Sequence, residues 1–167
     1  MNQHVSFLFT SLLTDDCIAR GKALLDGGVR YLGGTNETYG NINTSDSLWV
    51  IRDLVFNQKK YTLRQLNDAM LANFNGYEAL RKDCLNCDKY GNDLETADTM
   101  ANDLYEFVAK GVRDRGIAIG MQYFLIVISN NQLNTEWGNR TAASPDGRLS
   151  CMYMNPANNP QGGANKS

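Results

Sequence analysis

No stretch of this sequence is apolar for long enough to cross a membrane as a helix. The longest apolar run, Ile117 to Ile128, is interrupted by Gly120 and Gln122 and falls short of the roughly 18 residues a spanning helix needs. Charge of one sign is also scarce. Sixteen basic residues stand against eighteen acidic ones, for a net charge of -2, so there is no clustered basic footprint for a nucleic acid. Histidine occurs once, at position 4, which leaves little for imidazole chemistry. The first residues, Met1 to Phe9, carry neither a basic start nor a small-residue cleavage site, and a cytoplasmic chain is the expectation.

Cysteine is too sparse and too unevenly spaced for a disulfide framework. Of Cys17, Cys84, Cys87 and Cys151, only Cys84 and Cys87 sit at a ligand-like or redox-like spacing. Zinc would need two further ligands. The remaining candidates, Cys17, Cys151 and His4, are scattered singly. A redox pair would need a thioredoxin-type βαβ setting, which the pattern around it lacks. No metal ligand set is expected, and a small metal protein built on the Cys84/Cys87 pair is the weakest of the function classes considered.

What is present is helical periodicity. A chain of 167 residues that is 43% hydrophobic can close one core, and a single domain over 1–167 is expected. Thr14, followed by Asp15 and Asp16, reads as the start of a helix stopped by Gly27 and Gly28. A short strand is expected near Val29 to Leu32. A second helix should begin at Thr44 or Ser45 and carry Leu48, Val50, Ile51, Leu54, Val55 and Phe56. Thr62 and Gln65 form a capping box, with Leu63, Leu66, Met70 and Phe74 repeating behind it; after Gly76 a fourth helix carries Tyr77, Leu80 and Cys84. These three helices, joined by short connections, should be neighbours. Asn92 with Glu95 suggests a second capping box, opening a long helix to about Arg115 with Ala97, Met100, Ala101, Leu104, Phe107, Val108 and Val112 on its buried face. Its acidic start (Asp93, Glu95, Asp98) suits the helix dipole better than a metal. Gly116 should end it, and Ile117 to Ile128 is the best strand candidate. The result is a helix-rich α/β unit with about five helices and one or two strands.

The stretch Asn139 to Arg148, NRTAASPDGR, fits neither period. Ser144 and Asp146 can bond their own backbone, Pro145 presets one dihedral and Gly147 can take positive φ. Taken alone, Ser144-Pro145-Asp146-Gly147 reads as a surface β-turn followed by a solvated Arg148.

NRTAASPDGR also resembles the TGASPDGR signature of the glycyl radical enzymes, the family of pyruvate formate-lyase (formate acetyltransferase) and the glycyl radical dehydratases and lyases of anaerobic metabolism. Other stretches resemble that family in the same order: LLTDDCIARGKALLDGG (Leu12 to Gly28), ANFNGYEALR (Ala72 to Arg81), KYGNDLETAD (Lys89 to Asp98) and the glycine-rich NPANNPQGGANKS (Asn155 to Ser167). The family's Gly-Cys-x-Glu and Arg-Val-x-Gly loops do not occur here, and the histidine of its SxxxHVPxG-like stretch is replaced by Asn and Gln. The resemblance therefore implies an internal segment of the α/β barrel without the catalytic cysteine or the radical glycine. No catalytic residue is assigned. By resemblance, Asn158, Asn159, Pro160, Gln161 and Gly162 lie beside the substrate cavity or the glycyl loop, and Ser144 to Arg148 are a structural motif. The implied partners are the remainder of the enzyme, a small-molecule substrate, and a radical S-adenosylmethionine activating enzyme that installs the glycyl radical. The chain itself is expected to bind no cofactor and to be inactive alone. The alternative is a non-catalytic binding or assembly module derived from that family.

Overall fold

The computed structural model describes residues 7–121, 123–128, 133–156 and 159–160. They divide into two compact units, Met1–Asn36 with Ala109–Ile126 and Glu37–Val108 with Val127–Ser167.

In the first unit a single helix does not form between Thr14 and Gly27. Instead there are two short ones, α1 (Leu8–Leu12) and α2 (Cys17–Arg20), followed by a 3-10 turn at Leu24–Asp26. The backbone explains the break, because Asp16 has φ 71 and Gly21 φ 60, both left-handed, on either side of α2. Thr14 is not a cap. Its hydroxyl donates back to the Thr10 carbonyl at 2.7 Å, while Ser11 Oγ accepts the Leu24 N–H at 2.9 Å and fastens the 3-10 turn to α1. Cys17 is buried and Ile18 is exposed.

The first strand, β1 (Gly33–Thr38), starts where the expected one at Val29 to Leu32 would have stopped. Its partner is β2 (Tyr123–Ile128), and the two form a two-stranded sheet. Pairing, rather than apolar alternation, makes Gly-Gly-Thr-Asn-Glu-Thr a strand. The long helix α6 (Glu95–Ala118) runs past Gly116. It ends at Gly120, φ +86, where the N–H groups of Gly120 and Met121 turn back to the carbonyls of Ile117 and Gly116 in a Schellman arrangement. The apolar run thus opens with the last two residues of a helix, Ile117 and Ala118.

The second unit is built on α3 (Asn41–Val50), which continues as a π-helical stretch over Ile51–Asn57, with α4 (Leu63–Leu71), α5 (Glu78–Asn86), the start of α6, and α7 (Leu133–Asn139). The Thr62/Gln65 capping box is present in both directions. Val50, Leu54, Leu66, Ala69, Phe74, Leu80, Cys84 and Cys87 form one core cluster, so the three expected neighbours do pack together. α3 begins earlier than Thr44. Gly40, at φ 69, precedes it, and Ser45 Oγ donates back to the Ile42 carbonyl at 3.0 Å instead of capping. α6 begins at Glu95, leaving Asn92 outside, where its amide donates to the Lys89 carbonyl at 3.1 Å. On α6, Ala97 and Ala101 are buried but Phe107 is exposed. Among the described residues no helix is long and apolar enough to cross a membrane.

Candidate functional site

One face of α3 is polar and buried. Asn43, Asp46 and Ser47 recur at helical i, i+3 and i+4 spacing, and each is under a tenth exposed. Three separate stretches of chain meet on them.

The first stretch is the Ser144 to Arg148 turn. Its β-turn closes through the Gly147 N–H to the Ser144 carbonyl at 3.0 Å. It is not on the surface: Asp146 is 0% exposed and Arg148 3%. Asp146 Oδ1 accepts from Ser144 Oγ at 2.6 Å and from the Arg148 N–H at 3.2 Å, Oδ2 accepts from Asn43 Nδ2 at 2.9 Å, and its own N–H donates to Ser47 Oγ at 3.3 Å. The expected solvated arginine is corrected in the same way. Arg148 Nε donates to Ser144 Oγ at 3.2 Å, Nη1 to the carbonyls of Leu149 at 3.2 Å and Met152 at 2.8 Å, and Nη2 to the Ala142 carbonyl. Burial pulls its pKa below the ordinary arginine value, with Asp146 opposing. The guanidinium thus gathers carbonyls of the surrounding loop. What buries the turn is tertiary: Arg81 on α5 donates from Nε to the Gly147 carbonyl at 2.9 Å, and Asn73 Oδ1 accepts the Ser150 N–H at 2.8 Å.

Gly147 sits at φ +94, with Leu85 side-chain atoms where a Cβ would be. The half-exposed Leu85 can swing away, so the backbone decides the outcome. Gly147→Ala is expected to lose roughly 1 kcal/mol or more of stability, measured as a lowered denaturant midpoint with an unchanged slope.

The second stretch begins at Asn155. This residue, 1% exposed, exchanges bonds with Asn43: its N–H donates to Asn43 Oδ1 at 2.8 Å, and its Oδ1 accepts the Asn43 N–H at 3.3 Å. Its Nδ2 reaches the Asn159 carbonyl at 3.4 Å. Asn159 is exposed and Pro160 half-buried, with the Pro160 ring against Gly91, where a Cβ would lie 2.3 Å from Cγ. Asn158, Gln161 and Gly162 lie outside the described residues.

The third stretch is Lys89-Tyr90. Asp46 Oδ1 accepts the Tyr90 N–H at 2.9 Å, while Asp46 Oδ2 and Trp49 Nε1 are buried without a partner among the described residues. Lys89, 2% exposed, donates from Nζ to the carbonyls of Cys84 at 2.6 Å and Cys87 at 3.1 Å. Burial lowers its pKa.

Burial also pushes Asp46 up to about 6, against the Tyr90 N–H and the Lys89 charge, with Asp146 and Asp98 adding repulsion. The folded value lies above the ordinary 3.8, so the native state holds the proton longer than the unfolded chain. That contribution to stability is complete below about pH 4 and is lost as pH rises through about 6. Above pH 7 the ionised Asp46 costs up to about 3 kcal/mol. Asp46→Asn should flatten the fall in unfolding free energy between pH 4 and 8. An identical pH profile for wild type and variant would show that Asp46 does not titrate in this range.

The Cys84/Cys87 pair and the carboxylates of one polar cavity offer no free reactive group. Burial drives Cys84 up to about 12 and Cys87 up to about 11, where a thiol is a poor nucleophile. No group of three or more metal-ligating side chains assembles among the described residues. A polar cavity of about 300 Å³ is lined by Asp53, Gln58, Lys60, Asp83 and Asp88 among others. Its carboxylates have protein partners: Asp53 from Gln58 at 2.7 Å, Asp83 from Lys60 at 2.7 Å and Tyr61 at 2.5 Å, and Asp88 from Thr96 at 3.1 Å. The sequence points to the turn and to the stretches that open at Lys89 and Asn155, but not to Asn43, Asp46 or Ser47 on α3. The signal for α3 was there in the i, i+3, i+4 spacing of polar residues.

Comparison with known proteins shows what the chain is similar to. Residues 1–133 match the family model described as PFL-like, pyruvate formate lyase-like. The chain is 32% identical over 162 residues to the trans-4-hydroxy-L-proline dehydratase of Clostridioides difficile, covering 96% of this chain and 20% of that protein. It is 28% identical to the glycyl radical subunit of 4-hydroxyphenylacetate decarboxylase from the same organism, with 86% and 18% covered. The crystal structure of the hydroxyproline dehydratase from C. difficile, with substrate trans-4-hydroxy-L-proline bound, superposes with a TM-score of 0.84 at 31% identity, over 94% of this chain and 20% of that one. The chain spans about a fifth of the length of these relatives.

Proposed function

The chain belongs to the pyruvate formate lyase-like family of glycyl radical enzymes, and on that basis we propose that it serves as a wall segment of the α/β barrel of a longer glycyl radical lyase acting on a small molecule in the cytoplasm. A dehydratase or decarboxylase is favoured over a formate acetyltransferase, because the relatives above carry those activities. The carrying observation is the agreement with the substrate-bound hydroxyproline dehydratase over 94% of the chain. In this reading the radical glycine and the reacting cysteine belong to other parts of the enzyme, and a separate radical S-adenosylmethionine enzyme installs the radical. This chain supplies no reacting group. Its contribution is the loop from Asn155 through Asn158, Asn159, Pro160, Gln161 and Gly162 to Gly163, which in this reading borders the cavity.

Anaerobic incubation of the chain with an activating enzyme of the family and S-adenosylmethionine is expected to give no glycine-centred doublet by paramagnetic resonance. Joined to the rest of the polypeptide, the same treatment should give the doublet and turnover. A doublet from the chain alone would overturn the assignment. The isolated chain is also expected to self-associate, because Phe9, Leu12, Leu13 and Ile18 are mostly exposed and such apolar patches seek cover. A clean monomer on sizing at high concentration would contradict this.

A further inference from the structure

We propose that Asn43 is a positioning residue, whose side chain fixes the Asn155 backbone in register with the Asp146 turn; this rests on the reading that the loop beginning at Asn155 borders the reaction cavity.

An α-helix leaves its first N–H groups without an intrahelical acceptor. In α3 the Asn43 N–H is one of these, and its acceptor is Asn155 Oδ1, a residue 112 positions later. The cap of this helix is thus supplied by the loop itself. In return, Asn43 Oδ1 accepts the Asn155 N–H, so backbone and side chain of each residue are bonded to the other. That reciprocity holds the Asn155 backbone at a set height on α3. The remaining donor, Asn43 Nδ2, goes to Asp146 Oδ2. One amide thus couples Asn155 to Asp146, both of them buried.

The chemistry of the Asn43–Asp146 pair makes the role testable without changing shape. Asn43→Asp keeps the acceptor for the Asn155 N–H and sets a second carboxylate against Asp146. In the double variant Asn43→Asp with Asp146→Asn, the amide moves to position 146. There Nδ2 donates to the carboxylate at 43, and Oδ1 still accepts from Ser144 Oγ and the Arg148 N–H. All the side-chain bonds of the pair can be re-formed, and the net charge differs from wild type by nothing.

The experiment uses the full-length polypeptide that carries this segment, with amide exchange followed by peptide and turnover measured after anaerobic activation. In Asn43→Asp, exchange of the 153–160 peptides should accelerate about tenfold or more, while peptides from α4 keep their wild-type rate, and kcat/KM should fall. The double variant should return both to near wild type. Wild-type exchange of the loop in Asn43→Asp would overturn the proposal, as would a double variant that restores nothing. Faster loop exchange with unchanged kcat/KM would leave Asn43 as the loop's anchor and remove the loop from the cavity border.

Discussion

Arg148→Met is expected to lower the unfolding free energy by about 3–5 kcal/mol, because it strands part-buried backbone carbonyls that only a forked donor reaches together. Arg148 is 3% exposed and supplies Ala142, Leu149 and Met152 as well as Ser144 Oγ. Each orphaned acceptor costs about 1–3 kcal/mol, tempered where water can enter. Arg148→Lys should lose about 2–3 kcal/mol, since an ammonium donates from a single point and cannot span acceptors spread around the edge of a guanidinium. Arg64, whose side chain is 92% exposed and 4.0 Å from Asp68, is the control, and Arg64→Met should change stability by less than about 0.5 kcal/mol. Denaturant unfolding decides between these values. Equal midpoints for Arg148→Lys and wild type would mean that the guanidinium fork contributes nothing.

Gly138→Ala should be nearly as damaging, for a steric reason. A Cβ at Gly138 would stand 2.4 Å from the Met152 carbonyl oxygen, 2.7 Å from Tyr153 Cα and 3.0 Å from the Met154 nitrogen. All three are backbone atoms, which no rotamer change can move aside. α7 and the 152–154 loop segment must separate, and with them go the Arg148 bond to Met152 and the paired bonds between Asn134 and Met154. A loss of about 2–4 kcal/mol is expected. Gly76 provides the contrast: it has open space around it but φ +78, so Gly76→Ala should cost only about 1 kcal/mol in backbone strain. Because Gly138 and Arg148 both act on Met152, their double variant should lose less than the two singles added. Strict additivity would show that the two residues hold the loop independently.

The pieces legible in the sequence are those whose cause is local. The Thr62/Gln65 box needs only four residues, and the apolar spacing of Leu66, Leu80 and Cys84 marks the faces that meet in the core. The Ser144-Pro145-Asp146-Gly147 turn and the left-handed Gly147 follow from side chains that favour those dihedrals wherever they occur. The ordered family motifs were legible for the same reason, being carried by adjacent residues.

What needed the tertiary structure is whatever depends on partners far along the chain. Thr44 and Ser45 resemble caps, yet α3 starts before them, because the Asn43 N–H is capped by Asn155 and the polar face of the helix is bonded to Tyr90, Asp146 and Asn155. The early helix breaks at Asp16 and Gly21, and Gly33–Thr38 becomes a strand through pairing with Tyr123–Ile128. Above all, the burial of Asp146 and Arg148 was decided there. A turn rich in polar groups belongs in water until other segments provide an acceptor or donor for each of them, and only the folded chain brings Asn43, Ser47, Arg81 and the carbonyls around Arg148 to that turn.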